Sequence, residues 1–297
     1  MLIALLVPLG LVSLLFTVVL IRSVLAKRAP PSLEAILLGA VTNFFDTLGI
    51  GSFAPTMSWF KFRKLVPDQL IPQTMLVGHS IPTIMQAFIF LILLGVLVDP
   101  VLLVGCAFAL TVGGLIGAPM VARTKVWLVQ LAVAIALLIA AILYTMTNLD
   151  LIPAGGVAAG LPLDLTIIAI AANFVFGILL NFGIGHYAPS LVMLSLMGLD
   201  PRLVFPIMAT GGAVTIAGAG TRHLLIGQID LRIALGIVIG GIPAVLVAAF
   251  IVKDMPLEML RWLVTAVVLY ASAVMFQAAH SGRRATPVEM LAAGETG

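Results

Sequence analysis

Three polar side chains lie within long apolar runs, where each of them needs a partner. Asp46 follows Asn43 by three residues, which puts both on nearly one face of a predicted helix, and His79 lies eleven residues into the apolar segment 68–97. An ionisable side chain inside a membrane is costly unless it is paired or hydrated, so function is the first interpretation. The alternatives are that Asp46 is protonated or caps a turn by accepting its N–H groups, and that His79 is a core histidine with its hydrogen bonds satisfied.

Two copies of one short stretch hold the other candidates. Residues 48–56 read LGIGSFAPT and residues 182–190 read FGIGHYAPS, and adding 134 to a position in the first gives its counterpart in the second. The same register continues without a gap to Gly78 and Gly212. Because two glycines followed by a proline interrupt helix geometry, each copy predicts a broken helix within an apolar run. These glycines are Gly49, Gly51, Gly183 and Gly185. The alternative is that they only allow close helix packing, as is expected of Gly113, Gly117, Gly236 and Gly240.

A broken helix of this kind can bind an anion without a strongly basic side chain. The returning limbs begin at Ser52 and His186, where unpaired N–H groups and the positive end of the helix dipole would point into the protein centre. Two such ends that face each other predict a site for a small oxyanion. Further donors near the tips, or on the helices that follow them, are Thr47, Asn181, Gln73, Thr74 and Thr210. A tip that presents carbonyl oxygens to a cation is the alternative.

Composition assigns the chain to the multi-span membrane proteins. Of its 297 residues, 62% are hydrophobic and 9% are charged, and the mean hydropathy is +1.25. Almost every stretch of about 20 residues is therefore apolar enough to cross a bilayer. The net charge of +3 is small, which argues against nucleic acid as a partner. The single Cys106 excludes an internal disulfide and a cysteine metal cluster. Residues 1–25 lack the features of a signal peptide and are expected to remain as a span.

The basic residues decide between two topologies. If all nine apolar segments crossed the bilayer, the 15 Lys and Arg residues would divide seven against eight between the two faces, without the usual cytoplasmic excess. If the glycine-interrupted segments 34–60 and 163–197 are instead re-entrant hairpins, only Arg202, Lys253 and Arg261 lie on one face and the other twelve lie on the opposite face. The sequence therefore predicts seven spans and two hairpins, with the N-terminus outside and the C-terminus in the cytoplasm.

Three spans and one hairpin make an odd number of crossings, so the second repeat is predicted to be inverted relative to the first. The predicted fold class is an all-α polytopic membrane protein with two inverted repeats, each a re-entrant broken helix plus three transmembrane helices, and one extra N-terminal helix. From Glu34 to Asp46 is about 18 Å along a helix, which places the tips near the middle of a bilayer core of about 30 Å. The predicted segments are 1–30 for the N-terminal helix, 31–148 for repeat one, 149–162 for the linker, 163–280 for repeat two and 281–297 for a disordered cytoplasmic tail.

The duplicated tip, with its glycines and its following proline in a chain of this length, resembles the sulfite exporter TauE/SafE family, also called the toluene-sulfonate uptake permease family. The similarity covers nearly the whole chain after the first helix. The family often has a denser glycine cluster at the tip, where Ser52 and His186 stand here. The resemblance implies transport of small sulfur-containing anions such as sulfite or organosulfonates.

The combined prediction is a multi-pass transporter of the cell (inner) membrane that exports small sulfur-containing anions through a midplane site at the two tips. No nucleophile–base pair, metal spacing or phosphate loop is visible, so neither an enzyme nor a cofactor is expected. The expected partners are a small inorganic or organic anion and the lipid bilayer, without nucleic acid, and a homo-oligomer is left open. The alternative is a cation or metal-ion carrier or channel with Asp46, Asn43 and His79 as ligands.

Overall fold

The chain is helical almost throughout. A computed structural model describes residues 2–94, 97–121, 124–151, 156–181, 184–227 and 229–284. Helices make up 84% of it and these residues form no strand, which confirms the predicted all-α class. Their bounds are α1 Leu2–Lys27, α2 Leu33–Thr47, α3 Phe53–Arg63, α4 Ile71–Leu93, α5 Pro100–Val121, α6 Val126–Asn148, α7 Leu163–Leu180, α8 Tyr187–Leu196, α9 Pro201–Ile226, α10 Leu231–Asp254 and α11 Leu257–Arg284. A short 3-10 turn, Asp68–Leu70, precedes α4.

Eight of the described helices are long and apolar enough to cross a membrane, which makes this a multi-pass membrane protein. They are α1, α4, α5, α6, α7, α9, α10 and α11. The sequence predicts seven spans, and the additional helix is α7, which the prediction assigns to a hairpin. With 18 residues, α7 is about 27 Å long, so its length alone does not separate a span from the limb of a hairpin. α7 is also the first limb of a helical hairpin with α8.

α2 and α3 form a helical hairpin, called hairpin one, with its turn at residues 48–52. Glu34, in the first turn of α2, accepts hydrogen bonds from Trp59 Nε1 at 3.0 Å and from Arg63 Nε at 2.8 Å. Trp59 and Arg63 lie in the second half of α3. The end of α3 thus returns to the start of α2, as expected for a segment that enters and leaves on one side.

α7 and α8 form a second hairpin, called hairpin two. Ala158, which precedes α7, donates its N–H to the carbonyl of Gly198 at 3.1 Å and accepts the N–H of Asp200 at 2.9 Å. An isolated β-bridge pairs Ala158 with Leu199. Residues 198–200 follow α8, so the two outer ends of hairpin two are adjacent as well.

The connections between helices divide the bundle into two ends. At the first, called the basic end, Ser32 N–H donates to the carbonyl of Arg232 at 3.3 Å, which joins the start of α2 to the start of α10. At the second, called the opposite end, Asp99 N–H donates to the carbonyl of Ala159 at 3.1 Å, which joins the α4–α5 connection to the segment before α7. Hairpin one therefore opens at the basic end and hairpin two at the opposite end.

Small residues let each hairpin pack closely against a long helix. α2 lies along α10 and α7 lies along α5. A Cβ added to Gly240 would overlap the backbone of Ile36, and one added to Gly113 would overlap the backbone of Phe174. The structure confirms the predicted close-packing roles of Gly113, Gly117, Gly236 and Gly240.

The register of 134 residues extends to helix bounds and packing partners. Adding 134 to the bounds of α3, Phe53–Arg63, gives 187–197, and α8 is Tyr187–Leu196. In the same register α2 corresponds to α7, and α5 corresponds to α10. α2 of the first repeat packs on α10 of the second, and α7 of the second repeat packs on α5 of the first. Equivalent helix pairs therefore form both of these contacts between the repeats.

Candidate functional site

The turn of hairpin one is built on two glycines in left-handed backbone conformations. Gly49 has φ +97° and Gly51 has φ +89°, which L side chains rarely adopt. The Gly49 N–H bonds to the carbonyl of Asp46 at 2.8 Å and ends α2. A Cβ on Gly49 would touch Leu191 of α8, whereas a Cβ on Gly51 would meet no atom within 4 Å. The helix break is thus present, and open space adjoins Gly51.

Asp46 caps the returning helix of hairpin one. Its Oδ1 accepts the backbone N–H of Ser52, the N-cap residue of α3, at 2.7 Å. Its Oδ2 accepts a hydrogen bond from Gln86 Nε2 of α4 at 2.8 Å, and the residue is only 6% exposed. Of the interpretations kept open above, the geometry matches the turn cap. The sequence predicts that the Ser52 N–H binds substrate, whereas in this structure it donates to the protein's own carboxylate.

Gln86 connects the two hairpins. Its Nε2 donates also to Thr47 Oγ1 at 2.9 Å, and its Oε1 accepts the hydroxyl of Tyr187 at 2.8 Å. Tyr187 is the first residue of α8, in hairpin two. Asp46, Gln86 and Tyr187 therefore form one hydrogen-bonded line, called the tip link, that runs from one tip through α4 to the other.

His79 is held between α2 and α3. Its Nδ1 lies 2.9 Å from Asn43 Oδ1, and its Nε2 lies 3.1 Å from Thr56 Oγ1. Asn43 Nδ2 donates to the carbonyl of Gly39 at 2.7 Å, which orients the amide with its oxygen toward the ring. With the proton on Nδ1, a neutral ring donates to Asn43 and accepts from Thr56, so both nitrogens are satisfied.

His186, at the N-terminus of α8, turns toward α9. Its Nε2 donates to the carbonyl of Met208 at 3.1 Å, and its ring meets the Tyr187 ring edge-on with centroids 4.6 Å apart. A Cβ on Gly212 would come within 3.0 Å of the imidazole, so the missing side chain makes room for the ring. A Cβ on Gly185 would meet no atom within 4 Å. Gly183 lies outside the described residues.

Four predicted donors are engaged with backbone groups. Asn181 Nδ2 donates to the carbonyl of Gly114 at 3.1 Å and ties the end of α7 to α5. Thr210 bonds the carbonyl four residues earlier in its own helix. Thr74 accepts the N–H of Asp230 at 3.1 Å, and Gln73 donates to a neighbouring carbonyl. Gln73 and Thr74 lie about 8–9 Å along α4 from His79, toward the basic end. The structure does not bring Gln73 or Thr74 to the tips.

Sequence reasoning missed Gln86, Tyr187 and a pair in hairpin two. Gln86 follows His79 by seven residues, which places both on one face of α4, and it is an amide within an apolar run. Tyr187 stands within the repeated stretch itself. The pair is Asn173 and Ser190, whose Oγ donates to Asn173 Oδ1 at 3.2 Å. In the register of 134 these two correspond to Gly39 and Thr56 of hairpin one.

A cleft of about 430 Å³ lies beside the tip of hairpin one, between it and α11. Its walls are apolar apart from one threonine and one tyrosine. They are formed by Val41, Thr42, Phe45, Ile50, Pro55, Leu263, Ala266, Val267 and Tyr270. Within the described ranges no three His, Cys, Asp or Glu side chains come together in a way that could hold a metal ion.

Comparisons of the chain with protein-family models, curated proteins and solved structures gave no match.

Proposed function

We propose that this membrane protein transports small sulfur-containing anions, such as sulfite and organosulfonates, outward through a site between the tips of hairpins one and two. The observation that carries the proposal is the tip link, which brings the N-termini of α3 and α8 to one buried region. Helix N-termini in broken helices are the usual means by which transporters hold an anion without a basic side chain.

The inverted arrangement of the two repeats is part of the proposal. It is supported by the opening of hairpin one at the basic end, where Ser32 meets Arg232, and of hairpin two at the opposite end, where Ala158 meets Leu199. The returning limbs have 11 and 10 residues, or about 15–17 Å, which is half of a bilayer core of about 30 Å. Tips of this length that enter from opposite faces would meet near the midplane.

The orientation follows from charge. Eleven of the twelve basic residues predicted for the cytoplasmic face belong to described segments outside the opposite end, among them Lys61, Arg63 and Arg232. This excess supports an orientation in a cell membrane with the basic end on the cytoplasmic side. Cysteines introduced at Phe62 and at Ala29 should both be labelled from the cytoplasmic side, and labelling from opposite sides would remove the re-entrant model.

The anion is proposed to approach the backbone at Gly51 and Gly185, where no side chain occupies the space. Asp46 competes with the anion for this position, because its carboxylate already accepts a hydrogen bond from the Ser52 N–H at the tip. Anion binding at that N–H requires this carboxylate to move away or to be neutralised by a proton. Asp46 therefore acts as an internal competitor of the transported anion.

The alternative function is a cation or metal-ion carrier with Asp46, Asn43 and His79 as ligands. Its support is the buried carboxylate of Asp46. Against it, both oxygens of Asp46 accept hydrogen bonds from N–H groups, and the oxygen of Asn43 faces His79. A cation would have to displace all of these donors, whereas an anion would have to displace one carboxylate.

Equilibrium binding to the purified full-length protein tests the proposal. Sulfite, methanesulfonate, sulfate, Mn²⁺ and Zn²⁺ are titrated separately. We expect sulfite and methanesulfonate to bind and the two metal ions neither to bind nor to compete. Saturable metal binding that Asp46→Asn removes, with no binding of any of the anions, would replace the anion proposal by the alternative.

A further inference from the structure

Three buried polar atoms have no hydrogen-bond partner in the described part of the chain. They are Asn148 Oδ1 at the end of α6, Ser195 Oγ near the end of α8 and Arg202 Nε in the first turn of α9. All three belong to helix ends at the opposite end of the bundle. Buried polar groups are nearly always hydrogen-bonded, so a group of exceptions in one place points to a water, an ion or a ligand.

The ends of these helices carry further polar side chains, and together they are called the polar cluster. Tyr144, one turn before Asn148 on α6, lies beside Ser195, and its hydroxyl is within electrostatic range of Arg261. Asn148 Nδ2 donates at 3.0 Å to Thr265 Oγ1, one turn after Arg261 on α11. Ser195 is 2% exposed and Tyr144 is 3% exposed. Ends of α6, α8 and α11 thus converge here, next to the start of α9.

The charge of the cluster favours an anion. Arg202 and Arg261 are two of the three basic residues that the sequence places at this end, and the third, Lys253, lies 3.9 Å from the carboxylate of Asp254. Asp200 is the acidic member, and its Oδ1 accepts the backbone N–H of Arg202 at 2.9 Å as the cap of α9. The cluster therefore holds two guanidinium groups and one carboxylate that already has a donor.

We infer that the opposite end of hairpin two holds a second binding site for a small oxyanion, formed by Ser195, Arg202 and Arg261. The oxygens of the anion accept hydrogen bonds from the Ser195 hydroxyl, in place of its neighbour Tyr144, and from the Arg202 Nε–H, and Arg261 adds positive charge. A hydroxyl of the anion or an accompanying water donates to Asn148 Oδ1. The inference rests on the proposed function, because the ligand is taken to be the transported anion between solution and the tips.

α8 connects this site with the tips. Tyr187 begins α8 at the tip link, and Ser195 lies eight residues later, about 12 Å along the helix. The two sites are therefore separate but share one rigid, buried element. An anion that leaves the tips toward the opposite end would reach Ser195 after passing the length of this short helix.

Binding stoichiometry tests the inference. The purified full-length protein in lipid nanodiscs is titrated with ¹⁴C-labelled methanesulfonate, which does not react with thiols. We expect two sites per chain. Ser195→Ala and Arg202→Gln should each remove the same one, the site at the opposite end. Gly51→Leu should remove the other. Lys253→Gln is the matched control, since it removes a cation from the same end outside the cluster, and it should retain both sites.

The outcomes separate this inference from the proposed function. A wild-type protein with one site that Gly51→Leu removes, and that Ser195→Ala leaves intact, overturns the inference and leaves the proposed function standing. One site that only Ser195→Ala and Arg202→Gln remove supports the inference and contradicts the site at the tips. Ser195→Ala deletes a single oxygen, so it keeps the test decisive if Arg202→Gln does not fold.

Discussion

Hairpins one and two share a register but differ in how they are packed. Of the ten residues of α8, eight are buried, whereas of the eleven residues of α3 only Thr56 and Phe60 are buried. α8 lies among α6, α9 and α11, while a cleft separates hairpin one from α11. α8 is therefore anchored in the bundle, and α3 is the limb that can move at the lower energetic cost.

The two hairpins also differ in their polar groups. Asp46, Asn43 and His79 have Leu180, Gly177 and Ala213 as their counterparts in the second repeat. The second repeat therefore has no equivalent of the tip link, because Leu180 stands at the position of Asp46. Asp46 and Asn43 of hairpin one thus have no polar counterpart in hairpin two, which contributes Tyr187 to the tip link instead.

Bulky side chains at the open glycines should have the largest effect, because they test the feature that the two hairpins share. Gly51→Leu and Gly185→Leu should each abolish sulfite transport in proteoliposomes while expression is retained, since the new side chain fills the space beside the tips. Normal transport by either variant would show that these glycines serve only the fold.

Two further glycine variants control for backbone strain and bulk. Gly227 has φ +79° at the basic end, far from the tips, so Gly227→Leu imposes a strain like that of Gly51→Leu. Gly10 has no neighbour within 4 Å, so Gly10→Leu matches Gly185→Leu. Both controls should transport sulfite.

Removing the connection between the hairpins should have the next largest effect. Tyr187→Phe leaves Gln86 Oε1 buried without its donor, which should cost about 1–3 kcal/mol of unfolding free energy. Tyr270→Phe is the control, because Tyr270 is 40% exposed. Denaturant unfolding in detergent measures both variants. If Tyr187→Phe were as stable as Tyr270→Phe, the Tyr187–Gln86 hydrogen bond would not hold the tips together.

The packing difference predicts different local stabilities. Backbone amides of α3 should exchange hydrogen faster than those of α8, with a difference in opening free energy of about 1–2 kcal/mol, or a factor of roughly 5–30 in rate. Hydrogen-exchange mass spectrometry of the protein in nanodiscs measures this. Slower exchange in α3 than in α8 would show that α3 is not the more mobile limb.

The smallest effect is expected at the base of hairpin one. The hydrogen bond from Arg63 holds the pKa of Glu34 below its ordinary value of 4.5. A lowered carboxyl pKa means that the contact stabilises the hairpin at neutral pH and is lost as the pH falls below about 4.5. Trp59 donates to the same carboxylate, so its fluorescence should change in that pH range, and Glu34→Gln should abolish the change.

The sequence was sufficient to predict the elements but not most of the contacts across them. The break at Gly49 and Gly51 follows from local backbone rules, and the common face of Asn43 and Asp46 follows from helix periodicity. The bond between Gln86 and Tyr187 joins residues 101 positions apart. It depends on how α4 crosses α8, which no local pattern encodes.

Asn181 shows a second kind of limit. Its type and position predict a donor at the tip, and it does end α7 beside the tip of hairpin two. Its amide instead donates a hydrogen bond to the backbone of α5. The amide fits there because Gly117 has no side chain: a Cβ at that position would lie 2.5 Å from Asn181 Nδ2. Which helix faces a polar side chain is a property of tertiary packing, and the same reason explains the position of Thr74 against Asp230.

The effect of Asp46→Asn on ligand affinity shows whether the tips form an anion site. Asparagine keeps the shape of the side chain and removes the charge that competes with a bound anion for the Ser52 N–H. The affinity for methanesulfonate, measured by titration of the purified protein, should be preserved or increased. Loss of methanesulfonate binding in Asp46→Asn, together with competition by Mn²⁺ or Zn²⁺ in the wild-type protein, would contradict the anion site and identify Asp46 as a cation ligand.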